Sequence, residues 1–434
     1  MSQFQAHNIP EYMLHSYDSD IAATDEGDAD SVAAGTESDE VSDCENFEND
    51  MDTLRGYSLV ALSSAGFCEM HSLVQFCTRS WISEFGDPAR WSRLFVKLAA
   101  DHFPSGAYET WGTCQSLLPH IEPVLSRKRK GQGDILDWAE LLTKVCWYMF
   151  MLGEYSRAEM LGEEAVNARK NALGPDNPST LTSMANLAST YRNQGRWKEA
   201  EELEHGNLAS TYRNQGRWKE AEELNVRVME TRKTVLGEEH PDTLTSMANL
   251  ASTYSNQGRW KVAEELEVRV METRKTVLGE EHPDTLITMD NLALTYINQG
   301  RWKEAEKLQL QTMGIWQRVL GEKHPDTLTS MANLASTYRD QGRLKEAEEL
   351  EVRVMETSLR VLGEEHPSTL TSMNNLAFTW YGQGRQNDAC VLMQDCVSLR
   401  QKKLGHTHPH TKSSVATLES WQASYPAVED GSSS

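Results

Sequence analysis

The stretch PDTLTSMANLASTYSNQGRWKVAEELEVRVMETRKTVLGEE, residues 241–281, decides the fold of this chain. Its first proline recurs with a step of 42 residues, at Pro283, Pro325, Pro367 and Pro409. The glycine of its Gln-Gly-Arg turn keeps the same interval, from Gly258 to Gly384. A fixed period of this size is typical of a repeat array, in which each unit buries its apolar face only against its neighbours.

Two helices are predicted in each unit. The first covers about 241–257, where one apolar stripe is formed by Leu244, Met247, Leu250, Ala251 and Tyr254. The proline of His-Pro-Asp suits a first helical turn, and Gly258 ends the helix because glycine adopts a left-handed conformation most easily.

The second helix covers about 260–278. Its apolar residues are predicted to face inward: Ala263, Leu266, Val270, Val277 and Leu278. Its charged residues are predicted to face water: Glu264, Glu265, Glu267, Arg269, Glu272, Arg274 and Lys275. Two antiparallel helices joined by a tight glycine turn predict an all-α fold, an αα-hairpin solenoid wound as a right-handed superhelix.

These residues resemble the tetratricopeptide repeat. Leu250, Ala251, Tyr254, Ala263 and Val270 stand at that family's packing positions. The usual unit has about 34 residues, and the excess here lengthens the second helix by roughly 12 Å. This long form, NLAxxYxxQGRWxxAExL followed by VLGxxHPDTL, is similar to the repeats of kinesin light chains and to those at the C-terminal end of fungal NOD-like (STAND) NTPases. The resemblance covers 136–424 and departs from the generic pattern where an aromatic residue is replaced by Asn225, Glu267 and Glu351.

The rest of the chain divides by composition. Residues 1–53 hold fifteen Asp or Glu and no Lys or Arg, which predicts a disordered acidic tail. Residues 54–135 predict a strand–turn–strand hairpin and three helices, and residues 425–434 a second disordered tail. The net charge is −23, of which −15 lies in the acidic tail and −8 elsewhere. A broad basic face for nucleic acid is therefore not expected.

The run from Leu59 to Gln75, which includes EMHSLVQ, resembles the end of the winged-helix subdomain of fungal STAND proteins. Met70 and His71 match the first two residues of that family's nucleotide-sensing MHD motif, and Ser72 replaces its Asp. No GxxxxGK[ST] phosphate loop occurs in the sequence, so the family's NTPase activity is not carried over. The alternative is that His71 merely begins a helix.

Half a repeat is duplicated within the array. Residues 186–203 and 207–224 are identical and lie 21 residues apart, half the regular step. We expect a shortened helix pair there.

Other sequence features indicate no catalytic or metal chemistry. No cofactor and no enzymatic activity are expected, because no catalytic constellation has supporting context. The HTHPH grouping at 406–410 is too isolated for a zinc site. The tryptophans Trp197, Trp218, Trp260 and Trp302 are better explained by helix-start packing than by a stacking platform, and the glutamates of AEEL by a solvated face.

Location and processing signals are equally sparse. Apolar runs are too short for a membrane span, no secretory signal is visible, and seven cysteines show no CxxC pair, which together favour a cytoplasmic protein. The basic run at 127–130 suits a linker between helices better than a nuclear-import signal.

One asparagine in every first helix precedes Leu-Ala: Asn186, Asn207, Asn249, Asn291, Asn333 and Asn375. Six positions later, arginine stands at Arg192, Arg213 and Arg339. The resemblance implies that first helices line a concave groove, where such asparagines bind the backbone of an extended peptide. An amide offers both donor and acceptor for that purpose. The alternative is that each asparagine bonds a neighbouring helix.

Together these features predict a non-enzymatic scaffold that binds a protein or an extended peptide, with acidic side chains or a free carboxylate favoured by the arginines. The resemblance implies the sensor end of a fungal NOD-like receptor. Two alternatives stay open, namely a kinesin light chain-like cargo adaptor, which would lack that family's usual preceding coiled coil, and a regulatory piece of a STAND NTPase. The sequence leaves the oligomeric state undetermined.

Overall fold

A computed structural model describes residues 9–10, 13, 49, 51–63, 67–126, 132–175, 177–203 and 208–424. The chain forms two compact units, Met1–Leu187 and Ala188–Ser434. Helices dominate both units, which confirms the predicted all-α class. The remainder of the predicted acidic tail, the basic run at 127–130 and the tail at 425–434 lie outside the described residues.

A small antiparallel sheet lies in the first unit. Its strands are β1 (Ile9–Pro10), β2 (Val60–Leu62) and β3 (Phe67–Met70), in the order β1-β3-β2. The β2–β3 pair is the predicted hairpin. Strand β1 corrects the prediction that all of 1–53 is disordered: Ile9 pairs with Cys68, and both Ile9 and Met13 are buried in the core. Burial of these two apolar side chains is favourable because it removes them from water. The acidic composition of the segment as a whole did not indicate this local contact.

Three predicted helices follow the hairpin. They are α1 (Ser72–Phe85), α2 (Pro88–His102) and α3 (Trp111–Leu125). The first helix pair of the repeat region predicted over 136–424 consists of α4 (Gln132–Met151) and α5 (Tyr155–Leu173). Side chains of α2, α3, α4 and α5 share one core with the sheet, represented by Phe95, Ile121, Leu141 and Ala158. The first repeat is therefore packed against the N-terminal elements.

The array alternates first and second helices. After α6 (Pro178–Asn193) come two short helices, α7 (Trp197–Leu203) and α8 (Leu208–Asn214). These two short helices are the shortened pair that the duplicated half-repeat predicts. The regular helices that follow are α9 (Trp218–Leu236), α10 (Pro241–Asn256), α11 (Trp260–Val277), α12 (Pro283–Asn298), α13 (Trp302–Leu320), α14 (Pro325–Asp340), α15 (Leu344–Leu362), α16 (Pro367–Gly382), α17 (Gln386–Leu404) and the cap α18 (Pro409–Ser424).

Helix starts and ends follow from local chemistry. At α10, the Nδ1 atom of His240 accepts a hydrogen bond from the Asp242 amide at 3.2 Å, and Pro241 fills the first turn. The same cap occurs in later units, at His282, His324, His366 and His408. Gly258 follows the helix with φ +77°, a conformation that costs glycine little. The recurrent His-Pro pair is thus a helix N-cap.

The buried face of the second helix differs from its predicted face. Glu267 and Arg274, expected in water, are 2% and 4% exposed, whereas Val277, expected inside, is 45% exposed. Each second helix from α9 onward packs against both its own first helix and the next one. A helix covered from two sides buries a wider face than the apolar stripe alone indicates.

The cap helix also touches the beginning of the second unit. Nε2 of His408 lies 2.9 Å from the carbonyl oxygen of Asn193, 215 residues away. Because Nδ1 of His408 accepts from the His410 amide, Nε2 carries the proton and donates to Asn193. Beside this bond, the backbone of Gly195 approaches Pro409 so closely that an added Cβ would lie 2.6 Å from its Cδ.

Candidate functional site

The asparagines of the regular first helices carry free amides. Asn249, Asn291, Asn333 and Asn375 are half-buried, and their side chains hydrogen-bond to no residue in the described part of the chain. Neighbouring first helices contact one another, for example α10 with α12 and α14 with α16. Because the asparagines recur every 42 residues, they occupy equivalent positions on the surface that these helices share. That surface is called the first-helix face below.

The two remaining predicted asparagines behave differently. Asn186 lies in α6 within the first unit and already has an interaction inside the protein. Asn207 lies outside the described residues. The structure therefore offers four equivalent asparagines of the six that the sequence singled out.

Arg339 is engaged within the protein. Its Nη1 atom lies 3.1 Å from Oε1 of the buried Glu351 and donates to the carbonyl oxygen of Asn375, while Nη2 bonds Ser336. Burial raises the pKa of Glu351, and the charge of Arg339 opposes that rise. Arg339 thus compensates a buried carboxyl group of its own unit.

Arg213 has no such partner in the described residues, and it lines a pocket with Arg232 and Asn249. Burial lowers the pKa of the Arg213 guanidinium. Burial, together with the charge of Arg213, also lowers the pKa of Arg192, which donates to Ser189. Both side chains remain cationic, since arginine does not lose its proton at physiological pH. Two desolvated like charges therefore lie near each other.

The pocket holds about 210 Å³ and lies among α8, α9 and α10. Its polar lining is Ser210, Arg213, Asn225, Arg232, Asp242, Thr245, Ser246 and Asn249. Arg232 donates to the carbonyl oxygen of Asp242 and to Ser246 Oγ, which fixes its guanidinium in place. The pocket adjoins the duplicated half-repeat.

A buried polar position joins successive units, and sequence reasoning noted its unusual residues without locating them. Asn225 donates to Thr253 Oγ1 at 2.9 Å, and Thr337 donates to Gln309 at 2.7 Å. At the same position, Glu267 faces Thr295, and burial raises the pKa of Glu267 to about 7. Each side chain reaches from a second helix to the following first helix.

The Gln-Gly-Arg turn clamps each unit to the one before it. Gln299 Nε2 donates to Glu264 at 2.8 Å and to the carbonyl oxygen of Trp260, while Arg301 bonds Glu264 at 2.7 Å and lies over the ring of Tyr296. The clamp recurs around Glu201, Glu222, Glu306 and Glu348. The first glutamate of AEEL is therefore bound by the next Gln-Gly-Arg turn and does not lie free in water. Its regular recurrence together with that turn was a sign of this contact.

The tryptophans begin second helices as predicted. The rings of Trp218, Trp260 and Trp302 are nevertheless 39 to 43% exposed, so helix-start packing covers them only in part. Their backbone carbonyl oxygens each accept a hydrogen bond from the side-chain amide of the glutamine in the next clamp.

The weaker candidates acquire structural explanations. His71 accepts a hydrogen bond from the Leu73 amide and caps α1, as its helix-start interpretation predicts. His408 and His410 lie close together, but no group of three metal-binding side chains occurs among the described residues. None of the helices in that part of the chain combines the length and apolar character needed to cross a bilayer.

Comparison with known proteins agrees with this architecture. Two tetratricopeptide repeat models match residues 147–204, 203–276, 284–359 and 369–410, together more than half of the chain. A nucleotide-binding leucine-rich repeat (NLR)-like protein of Hyaloscypha variabilis is 36% identical over 133 residues. That match covers 30% of this chain and only 13% of the length of the relative.

Two solved structures are also similar. TPR-like repeats from Podosopora anserina, described as those of a kinesin light chain, are 31% identical with a TM-score of 0.40, covering 50% of this chain and 96% of that one. A STAND protein with a tetratricopeptide repeat sensor, from Pyrococcus horikoshii, is 10% identical with a TM-score of 0.50, covering 86% of this chain and 58% of that one. The repeat models carry the assignment: the chain belongs to the tetratricopeptide repeat family, whose members are protein-interaction scaffolds.

Proposed function

We propose that the first-helix face binds an extended segment of a protein partner without chemical conversion. The single observation that carries this proposal is the set of free amides at Asn249, Asn291, Asn333 and Asn375. A half-buried amide without an internal partner can accept a peptide N–H and donate to a peptide carbonyl. Four such amides at one repeat phase suit a ligand whose backbone groups also recur regularly.

The hydrogen bonds of the threonines that follow two of these asparagines also support binding at the first-helix face. Thr253 and Thr337, four residues after Asn249 and Asn333, are occupied by hydrogen bonds between units. The asparagines were open to two interpretations, groove or helix–helix contact, and the bonds between units are made by other residues. This division of roles favours the groove.

We further propose that the chain acts as the sensor part of a NOD-like receptor system. The similarity to an NLR-like protein falls in the repeat region, and a STAND protein with a repeat sensor shares the fold. A kinesin light chain-like adaptor is the second candidate, favoured by the 31% identity of the Podosopora repeats. The two candidates differ in partner rather than in binding surface.

The test uses the full chain as bait. Partners are captured from cell lysate with the wild-type protein and with the Asn291→Ala/Asn333→Ala variant, and captured proteins are mapped to binding peptides on an array. Binding should weaken by roughly 5- to 150-fold, which corresponds to the loss of about 1–3 kcal/mol from unpaired buried groups. Asn298→Ala is the matched control, because Asn298 is exposed at the end of the same helix α12 as Asn291. Equal capture by all three proteins would refute the proposal.

A further inference from the structure

Helix α1 of the first unit has an apolar side that the described part of the chain leaves largely uncovered. Two neighbouring rows of side chains form it, because residues four apart lie above one another on a helix and residues three apart lie side by side. They are Leu73, Cys77, Trp81 and Phe85 in one row, and Phe76, Ser80 and Glu84 in the other. All seven are exposed, and the leucine, the tryptophan and the two phenylalanines are 60 to 69% exposed. These two rows are called the outer face of α1 below.

The opposite side of α1 attaches the helix to the first unit. Val74 packs against the core there, and Gln75 and Ile82 are buried. The apolar residues of the outer face therefore take no part in holding α1 in place. Covering them would remove apolar area on the order of 500 Å² from water, since an aromatic side chain buries roughly 150–250 Å². A contiguous exposed patch of this size, unlike single exposed apolar residues, is typical of an interaction site.

The charge around the outer face is negative. The carboxylate of Glu84, in the second row, has neither a hydrogen bond nor an ion pair among the residues that the structure describes. Residues 14–50 contain thirteen Asp or Glu and no Lys or Arg. Met13 and Met51 flank that acidic segment, and both are buried in the core against which Val74 packs. A large negative charge is thus tethered to the same core as α1.

We propose that the outer face of α1 binds an amphipathic helix of another protein, with an apolar stripe flanked by lysine or arginine. The stripe packs between the side-chain rows of α1 as one helix packs against another, and a basic side chain beside it pairs with Glu84. The acidic segment attracts such a helix over a distance and speeds its association. This site lies apart from the first-helix face and does not rest on the function proposed for that face.

Two other occupants fit the observations less well. A second copy of the chain would bring two acidic segments together, and a stable dimer buries about 800 Å² on each partner, more than the outer face supplies. A lipid bilayer would bring the carboxylate of Glu84 against its apolar interior, where an unpaired charge is strongly unfavourable. A basic amphipathic helix covers the same apolar residues and also supplies the missing positive charge.

The test measures the fluorescence anisotropy of labelled model peptides with the full chain. The probe is a peptide of about 18 residues with Leu and Lys in amphipathic helical order, and the comparison peptides replace every Lys by Glu or scramble the order. Trp81→Ser/Phe85→Ser removes two rings of the outer face, and Glu84→Gln removes only its charge. Leu359→Ser/Val391→Ser is the matched control, because it removes two exposed apolar side chains from α15 and α17. Circular dichroism confirms folding, and Phe85→Ser alone decides the outcome if the double variant is not folded.

The basic amphipathic peptide should bind at least tenfold more tightly than either comparison peptide. Trp81→Ser/Phe85→Ser should abolish that advantage, and the control variant should keep it. Glu84→Gln should weaken binding by roughly two- to fivefold, the contribution of one exposed ion pair. Equal binding of the acidic peptide, or undiminished binding by Trp81→Ser/Phe85→Ser, would overturn the proposal.

Association kinetics test the contribution of the acidic segment. Replacing the thirteen acidic residues of 14–50 by Asn and Gln should slow association of the basic peptide at least tenfold and leave its dissociation nearly unchanged. Unchanged association would contradict a basic partner.

Two further measurements decide between the occupants. Sedimentation should show that the wild-type chain and Trp81→Ser/Phe85→Ser have the same oligomeric state, and neither should float with phosphatidylcholine vesicles. Dimers that form in the wild type alone would reject the proposal in favour of a second copy, and vesicle binding by the wild type alone would reject it in favour of a membrane surface.

Discussion

Glu267 and Gln309 occupy the same buried position in successive units, where one is an acid and the other its neutral amide. Burial raises the pKa of Glu267 to about 7, well above the value of an exposed glutamic acid. Ionising Glu267 at high pH therefore costs folding free energy that Gln309 never incurs. The same array contains the acid and its natural replacement.

Glu267→Gln should therefore stabilise the second unit above pH 7. A carboxyl group with a raised folded pKa binds its proton more tightly in the folded state, so its contribution to stability is lost as pH rises from about 4.5 to about 7. We expect a gain of about 1–3 kcal/mol at pH 8 and little change near pH 4.5. Urea unfolding at both pH values measures this, with Glu272→Gln as an exposed control on the same helix. An equal gain at the two pH values would contradict the titration argument.

Leu250→Ala should destabilise the array locally. Leu250 is almost completely buried in α10, and removing its side chain should cost about 2–5 kcal/mol. Hydrogen exchange should rise mainly in the units on either side, because contacts in a solenoid are between neighbours. Leu294→Ala, which truncates an exposed leucine of α12, is the control and should change little. A uniform rise across every unit would indicate one cooperative block instead.

The asparagine series should contribute to binding rather than to stability. Asn291→Ala and Asn333→Ala remove amides that bond to nothing in the described part of the chain, so each should change the unfolding free energy by less than about 0.5 kcal/mol. Thermal unfolding of the single variants measures this directly. A loss of several kcal/mol would mean that the amides hold neighbouring helices together.

Gly195→Ala should be more damaging than Gly258→Ala. Both glycines have positive φ, +74° and +77°, so the backbone strain of alanine is matched. Only at Gly195 would the new Cβ meet another residue, 2.6 Å from Pro409 Cδ. The difference should be about 1–3 kcal/mol, typical of overpacking. Hydrogen exchange at residues 408–412 should rise in Gly195→Ala alone, and equal effects of the two variants would show that the contact with the cap contributes nothing.

The repeat period predicted the helices well because helix spacing, His-Pro starts and glycine ends act locally. It did not predict which charged residues are buried. Glu267 and Arg274 were assigned to water by their chemistry, yet their position beneath the next first helix buries them. Glu264 was likewise assigned to a free surface although it binds the following turn. These errors share one cause, namely that contacts between units depend on stacking geometry, which a periodicity within one unit does not contain.

The structure gives the predicted site residues different surroundings. Four asparagines carry free amides, but Arg339 is paired internally and Arg213 lies in a pocket that no sequence pattern revealed. The signal was nevertheless present, since glutamate follows Arg339 by twelve residues whereas asparagine follows Arg213. Comparing units position by position separates Arg339, which has a carboxylate partner, from Arg213, which has none in the described part of the chain.

The hydrogen bond between His408 and Asn193 forms only if the intervening units bring these two residues together. An array whose units meet only their neighbours can gain or lose a whole unit and keep every remaining interface. Here, deletion of residues 283–324 would leave all neighbouring interfaces of the same kind but would carry Pro409 away from Gly195. Copy number is therefore constrained by geometry, and recombination between these nearly identical units would produce chains that differ in the closure of the second unit as well as in length.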